Sequence, residues 1–243
     1  MEKYISSTQN KLIKECAKLH LKKERDKTGH FLVEGWHMVE EAQKAGCIET
    51  LFISESEKPI ENAVICSDAV MEKLSFQSSG SSIIALCSKP EFNVSKKETV
   101  VLLDGVQDPG NVGTIVRTAY SLGVDAIYCS KDCADVYNPK TIQSTQGALF
   151  HIPVIYDDLS KVIDDLKENG FTIYATSLYG DYIDLKDIKV KKPYGMIFGS
   201  EGNGIRENIL KRADVCVRIE MDAFESLNVA VAAGIVIYTL KYC

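Results

Sequence analysis

Short apolar runs alternate with stretches of helical periodicity along almost the whole chain. Ser6 and Ser7 stand where helix caps belong, and Leu12, Ile13, Cys16 and Leu19 recur at core spacing, so one helix is predicted from there to Gly29. Strand-like Phe31–Val33 follows, then a helix from Trp36 to Ala45 stopped by Gly46. After it come strands at Thr50–Ser54 and Ala63–Cys66, a helix around Asp68–Leu74 and a strand at Ile83–Cys87. This alternation predicts a small α/β domain over residues 1–90. The stretch from Lys89 to Glu98 is polar, aperiodic and contains Pro90, and reads as the linker.

From residue 99 to 243 the pattern changes. Val100–Leu103, Ala126–Cys129, Ile152–Ile155, Thr172–Ala175, Met196–Phe198 and Val215–Ile219 are apolar throughout rather than alternating, and helical stretches separate them. Such runs predict a parallel sheet covered on both faces. The final helix, from Ser226 to about Lys241, is apolar on nearly all sides, with Leu227, Val229, Val231, Ile235, Val236, Ile237 and Tyr238. A helix without a polar face needs two partners. One is its own sheet; the other is either a second copy of the chain or the N-terminal domain.

Composition narrows the class. With 243 residues, 45% of them hydrophobic, the chain can bury a sizeable core. Its opening residues are polar and basic, unlike a secretory leader, and the longest uncharged apolar stretch, Leu227–Leu240, is too short to span a bilayer. A cytoplasmic protein without membrane contact is expected. The eight cysteines lie along apolar runs, as where thiols stay reduced. Cys129 and Cys133 alone are close, and with no second pair and no histidine cluster nearby no metal site is expected.

The net charge of −6 hides an asymmetry. Residues 1–30 hold eight Lys or Arg against four Asp or Glu, a balance of +4; the remainder holds twenty against thirty, a balance of −10. Lys11, Lys14, Lys18, Lys22 and Arg25 fall three or four apart on one predicted helix face. That stripe is either a solvated face or an RNA-contacting surface.

The chemistry-bearing segments sit after the apolar runs, at strand ends, where α/β proteins bind ligands. They are Asp108–Gly113 with Arg117, Gly199–Gly204, and Glu225–Asn228. Gly199–Gly204 lacks the G-x-G-x-x-G order and no Gly-Lys-Ser/Thr follows, which excludes dinucleotide and P-loop readings. Asn111 and Arg117 share one short helix start. Glu201 could hold the guanidinium or simply favour a positive helix end. Ser226 reads as a cap of the last helix, with Asn228 two residues on.

In this order and spacing the three segments resemble the SpoU/TrmH branch of the SPOUT RNA methyltransferases, most densely over 101–119, 135–153 and 195–238. The resemblance implies an α/β fold with a small N-terminal, ribosomal-protein-like RNA-binding domain over 1–90. A SPOUT methyltransferase domain over 99–243 would follow, its sheet parallel and its C-terminal segment passed through a deep trefoil knot. It implies S-adenosylmethionine as methyl donor, held by Thr176, Gly199, Ile219, Met221 and Leu227, largely through backbone groups. It implies a reaction site of Asn111, Arg117, Glu201, Ser226 and Asn228, and a homodimer formed through the C-terminal domain. The acceptor would be a ribose 2′-hydroxyl, in ribosomal RNA rather than tRNA because of the N-terminal domain. Arg117 is a poor base and is expected to clamp a phosphate and the developing alkoxide charge. Three positions depart from the family pattern: Glu220 stands where proline is usual, the Met221–Ser226 loop is one residue short and lacks its glycine, and Gln143 replaces a frequent basic residue. The competing readings are a noncatalytic RNA-binding protein that keeps the SPOUT fold and an α/β enzyme acting on a small nucleotide.

Overall fold

The structure is a computed structural model and describes residues 3–77, 80–93, 97–177, 181–223 and 226–242. The chain divides into two compact units. The first comprises residues 1–91 with 137–150; the second comprises 92–136 with 151–243. Residues 137–150, which sequence order places in the second domain, thus pack with the first unit. The Phe31 ring lies 4.7 Å from Tyr137 and 6.1 Å from Phe150, and Gln143 Nε2 donates to Glu34 O at 3.4 Å.

The first unit is built on a mixed sheet. Its strands are β1 (Lys3–Ile5), β2 (His30–Glu34), β3 (Ile48–Ser54), β4 (Val64–Cys66) and β5 (Ile83–Ser88), in the spatial order β1-β4-β3-β5-β2. β1, β4 and β3 are parallel, whereas β5 runs antiparallel to both β3 and β2. Helices α1 (Lys11–Lys18), α2 (Lys22–Thr28), α3 (Trp36–Lys44) and α4 (Asp68–Leu74) complete it, with Ile13, Cys16 and Leu19 packed against Leu32, Phe52, Met71 and Leu74.

The single helix predicted to Gly29 is two helices. Neither Ser6 nor Ser7 caps the first; Asn10 does, its side-chain oxygen accepting from Leu12 N at 2.9 Å. The break at Leu19–Leu21 is held by Arg25, which is buried, with its guanidinium donating to Leu19 O at 2.8 Å and His20 O at 3.0 Å. Those carbonyls are the ones a helix end leaves without partners. Arg25 is therefore not part of an RNA-contacting stripe, and α2 ends on Gly29, whose φ of 73° suits a residue without Cβ.

The second unit carries β6 (Thr99–Asp104), β7 (Ala126–Cys129), β8 (Val154–Tyr156), β9 (Thr172–Thr176), β10 (Ile183–Asp184), β11 (Tyr194–Gly199) and β12 (Val215–Arg218). They form one sheet in the order β10-β12-β9-β11-β6-β7-β8, with every pairing parallel. β6, with its apolar run Val100–Leu103, and β11 lie side by side in its middle, and all of β11 is buried. Val100, Leu102 and Ile197 face α7 (Leu159–Glu168) and α8 (Glu207–Leu210) in one core layer. Alternation along the strands directs Val101, Leu103, Met196 and Phe198 to the opposite face, where α5 (Pro109–Ser121) and α9 (Val229–Tyr242) pack on each other.

After β6 the chain steps to β7 and β8 on one side; it then returns to place β9 and β11 on the other. The carboxyl ends of β6 and β11 flank that reversal, the position where open parallel sheets bind ligands. α9 buries Ala233, Val236, Ile237 and Leu240, yet leaves Val231, Ile235, Tyr238 and Tyr242 exposed at spacings of four, three and four. The second unit therefore covers this helix on one side only. No helix among the described residues is long and apolar enough to cross a membrane.

Arg25→Met should destabilise the protein by about 2 kcal/mol, because two helix-end carbonyls lose a charged donor. Lys22→Met, which removes an exposed ion pair with Asp26, should change stability by less than about 0.5 kcal/mol. Urea midpoints of the two variants check both; equal shifts would remove Arg25 from its structural role.

Candidate active site

The loops at the carboxyl edge of the parallel sheet hold the predicted reaction residues. β6 ends at Asp104, and the chain turns through Asp108, whose side chain caps α5 by accepting from Asn111 N at 2.9 Å. Pro109 sits in the first helical turn, where its missing N–H is no loss. This geometry presents Asn111 at the start of α5.

Asn111 lies between two other predicted residues. Its Oδ1 accepts from Asn228 Nδ2 at 2.9 Å, and its Nδ2 donates to the Glu201 carboxylate. Asn228 in turn uses Oδ1 to accept from Ala230 N at 2.9 Å and Val231 N at 3.3 Å. Each amide orientation follows from the next, since a helix start offers only N–H groups and a carboxylate only accepts. The cap of α9 is thus Asn228. Ser226, expected to fill that place, is exposed two residues upstream and makes no side-chain hydrogen bond among the described residues.

Arg117 behaves differently. It lies six residues beyond Asn111 on α5, about 9 Å along the axis and about 120° around it by helix geometry. Glu201 accordingly meets Asn111 and not the guanidinium. Arg117 is exposed, and among the described residues its side chain has no ion pair or hydrogen bond. Sequence order puts the two on one short helix start; the helical phase separates their faces.

The predicted cofactor residues occupy the ends of neighbouring strands. Thr176 closes β9 and its hydroxyl donates to Ile197 O at 3.3 Å. Gly199 closes β11 in register with Asp104, and half-buried Ile219 and Met221 follow β12. Leu227, 39% exposed, precedes Asn228. A Cβ on Gly199 would stand 2.1 Å from Gly204 C and 2.2 Å from Ile205 N. Its own loop forces glycine there, because Ser200 and Gly204 exchange backbone hydrogen bonds of 3.1 and 2.9 Å and fold the chain back on the strand end. Gly202 is the reverse case, with open space where a Cβ would go.

Two residues that sequence reasoning missed anchor this edge. Asp104, almost fully buried, accepts from Arg206 N and Arg206 Nε at 2.8 Å each and from Arg206 Nη2. An aspartate ending a buried apolar strand was the available signal. Asp132 lies 3.7 Å from the same guanidinium, and the Ser130 hydroxyl holds its carboxyl below the usual range. In the first unit, Lys14 and Lys18 line a hollow of about 560 Å³ together with Lys73, which only the fold brings to them. Lys11 and Lys14 are exposed; Lys18 pairs with Glu15 at 2.8 Å and Lys22 with Asp26 at 2.5 Å.

Comparison with known proteins decides the class. Residues 98–238 match the SpoU rRNA methylase family, and residues 10–85 match the MRM3-like substrate binding domain. The chain belongs to the SpoU rRNA methylase family. It is 37% identical over 98% of its length to the 23S rRNA (guanosine(2553)-2′-O)-methyltransferase RlmP of Bacillus subtilis, covering 99% of that protein. An rRNA methyltransferase of Sinorhizobium meliloti bound to AdoMet superposes with TM-score 0.86 at 26% identity, over 98% of this chain and 97% of that one. A solved RNA 2′-O ribose methyltransferase superposes with TM-score 0.81 at 30% identity, again over 98% and 97%. The SpoU chain is accordingly an S-adenosylmethionine-dependent RNA methyltransferase.

The carboxyl-edge residues suit that donor. Partly exposed apolar side chains at 219, 221 and 227 stand beside strand-end backbone groups, the mix of apolar wall and few polar contacts typical of small-ligand sites. Among the described residues no group of three or more His, Cys, Asp or Glu gathers as metal ligands would.

Asn228 carries two separable jobs, which gives a test. Asn228→Asp keeps the acceptors that cap α9 and should leave stability within about 0.5 kcal/mol. It removes the donor to Asn111 and should slow methyl transfer about tenfold or more. Asn228→Ala should lose both, with about 1 kcal/mol of stability. Thermal unfolding and a methyl-transfer assay read the two effects apart.

Proposed function

We propose that the chain methylates a ribose 2′-hydroxyl in ribosomal RNA, with Arg117 acting on the acceptor and Asn111, Glu201, Ser226 and Asn228 forming the rest of the reaction site. The observation that carries this reading is the contrast at the carboxyl edge: Asn111, Glu201 and Asn228 are tied to one another, while the exposed guanidinium of Arg117 has no partner among the described residues. The name of the Bacillus subtilis relative supports ribosomal RNA over tRNA.

S-adenosylmethionine supplies an electrophilic sulfonium methyl when bound. The protein's task is then to place the acceptor oxygen in line and to stabilise the charge that develops on it. Thr176, Gly199, Ile219, Met221 and Leu227 would hold the donor. A guanidinium is charged at any physiological pH and cannot take the hydroxyl proton. Arg117 would grip the neighbouring phosphate with its planar fork and face the emerging alkoxide, the proton passing to that phosphate or to water.

The first unit is the RNA-binding part of this reading, with Lys11, Lys14, Lys18 and Lys22 as phosphate contacts and Arg25 in its structural place. The exposed stripe Val231, Ile235, Tyr238 and Tyr242 on α9 supports a second copy of the same helix region as its partner, a homodimer through the C-terminal domain. The C-terminal segment would thread the deep trefoil knot of the resembled class, and the protein would act in the cytoplasm.

Arg117→Ala should cut methyl transfer by at least about 100-fold, as for removal of a preorganised donor, and leave S-adenosylmethionine affinity within about threefold, since Arg117 is assigned to the acceptor and the residues assigned to the donor are unchanged. Arg117→Lys should not rescue it. A near-normal rate in the alanine variant would contradict the assignment. If calorimetry detects no cofactor binding to the unaltered protein, the noncatalytic RNA-binding alternative takes over.

Replacing Ile235 and Tyr238 with Glu puts charge into the exposed α9 stripe. Light scattering should then report monomer where the unaltered protein is dimeric at micromolar concentration. An unaltered protein that is already monomeric would remove the dimer from the reading.

A further inference from the structure

The Asp104–Arg206 pair joins two loops that are far apart in sequence and meet at the reaction site. Asp104 is the last residue of β6, and seven residues later the chain delivers Asn111. Arg206 ends the loop that starts at Gly199 and carries Glu201. Asp104 accepts three hydrogen bonds from Arg206, one from the backbone and two from the guanidinium, and its side chain is fully shielded from solvent. Nearby, Gly105 N donates to Ser130 Oγ at 2.9 Å, and Ser130 donates to Asp132, whose carboxylate lies 3.7 Å from Arg206. The turns after three adjacent strands, β11, β6 and β7, are thereby tied through one guanidinium.

Arg206 is half exposed, so it could be mistaken for a phosphate contact. Two carboxylates face it, and that local balance is negative. A cation so placed has little net attraction left for RNA. Its Nε and Nη2 converge on Asp104 Oδ1, while Asp104 Oδ2 takes the Arg206 backbone N–H, so one edge of the planar fork is already committed.

We infer that Arg206, through Asp104, is a positioning residue for methyl transfer, holding the Glu201 loop against the strand end that leads to Asn111. The inference rests on the methyltransferase reading above for its activity readout. Asn111 bonds Glu201 directly, so any drift of the Gly199–Gly204 loop moves the carboxylate away from the amide and releases both. Misplacement of this kind acts on rate far more than on stability.

The test uses the full-length protein. Arg206→Lys keeps the charge and loses the fork; it should lower kcat per folded molecule about tenfold at saturating RNA and cofactor, while KM for RNA stays within about twofold. Arg206→Met leaves Asp104 buried and unpaired and should lower the melting temperature as well. Adding Asp104→Asn to Arg206→Met should recover the melting temperature but not the rate. Hydrogen exchange should accelerate in residues 199–206 and 105–112 together in the lysine variant. A kcat per folded molecule equal to the unaltered enzyme in Arg206→Lys would overturn the inference. So would a weaker salt dependence of RNA binding in Arg206→Met, which would make Arg206 a phosphate contact. If the unaltered protein transfers no methyl group at all, the methyltransferase reading falls. Hydrogen exchange then still decides the inference, since faster exchange confined to 199–206 would deny the coupling.

Discussion

The seven described strands of the second unit's sheet all point the same way, and that one constraint places the chemistry. A parallel strand must hand its chain to a crossover before the next strand begins, so every strand's carboxyl end opens into a loop on the same edge. The loops after β6, β9, β11 and β12 therefore carry Asn111, Thr176, Gly199 with Glu201, and Ile219 to one edge of one sheet. Residues more than a hundred positions apart, such as Asn111 and Asn228, can hydrogen-bond only because of this shared direction. The apolar run Val100–Leu103 of β6 and the buried β11 beside it are the other half of the same constraint. Crossover helices cover both faces, so neither face can be polar.

Inside that frame the polar groups are arranged by what each can donate or accept. A helix start presents free N–H groups, which fixes Asn228 Oδ1; the amide's other end must then donate, which fixes Asn111; and Asn111's remaining donor finds the Glu201 carboxylate. The set is ordered without any buried ion pair. Among the described residues the strongly shielded charge at this edge is Asp104, which is met by a guanidinium and a backbone N–H, as a buried carboxylate requires.

Much of the fold was legible because period and burial agree. The helix over Asp68–Leu74 is found where it was read, and the apolar runs of the second unit became its strands within a residue or two. What failed did so where a local rule had more than one solution. Ser226 and Asn228 are both good caps, and only the meeting with Asn111 selects Asn228. Lys22 and Arg25 belong to the same apparent stripe, yet a guanidinium can turn inward onto two helix-end carbonyls while the Lys22 ammonium pairs with Asp26 outside. The break after Lys18 was hidden for the same reason, since a continuous helical pattern does not show that a later side chain will terminate it.

At Gly199 the structure supplies a local reason for glycine. The resemblance implied that the Gly199 backbone meets the cofactor, and at Gly202 a Cβ would meet only open space. Gly199 instead yields to its own loop, whose backbone passes within bonding range of any Cβ placed there. The same fold-back puts Glu201 at the turn and Arg206 at its exit, so one steric requirement on a strand's last residue sets where a carboxylate and a guanidinium leave the sheet. Arg117 escapes all of these ties because helical phase turns it away from Asn111. Among the described residues its guanidinium is thus left exposed and without an ion pair or hydrogen bond, whereas Asn111, Glu201 and Asn228 are committed to one another.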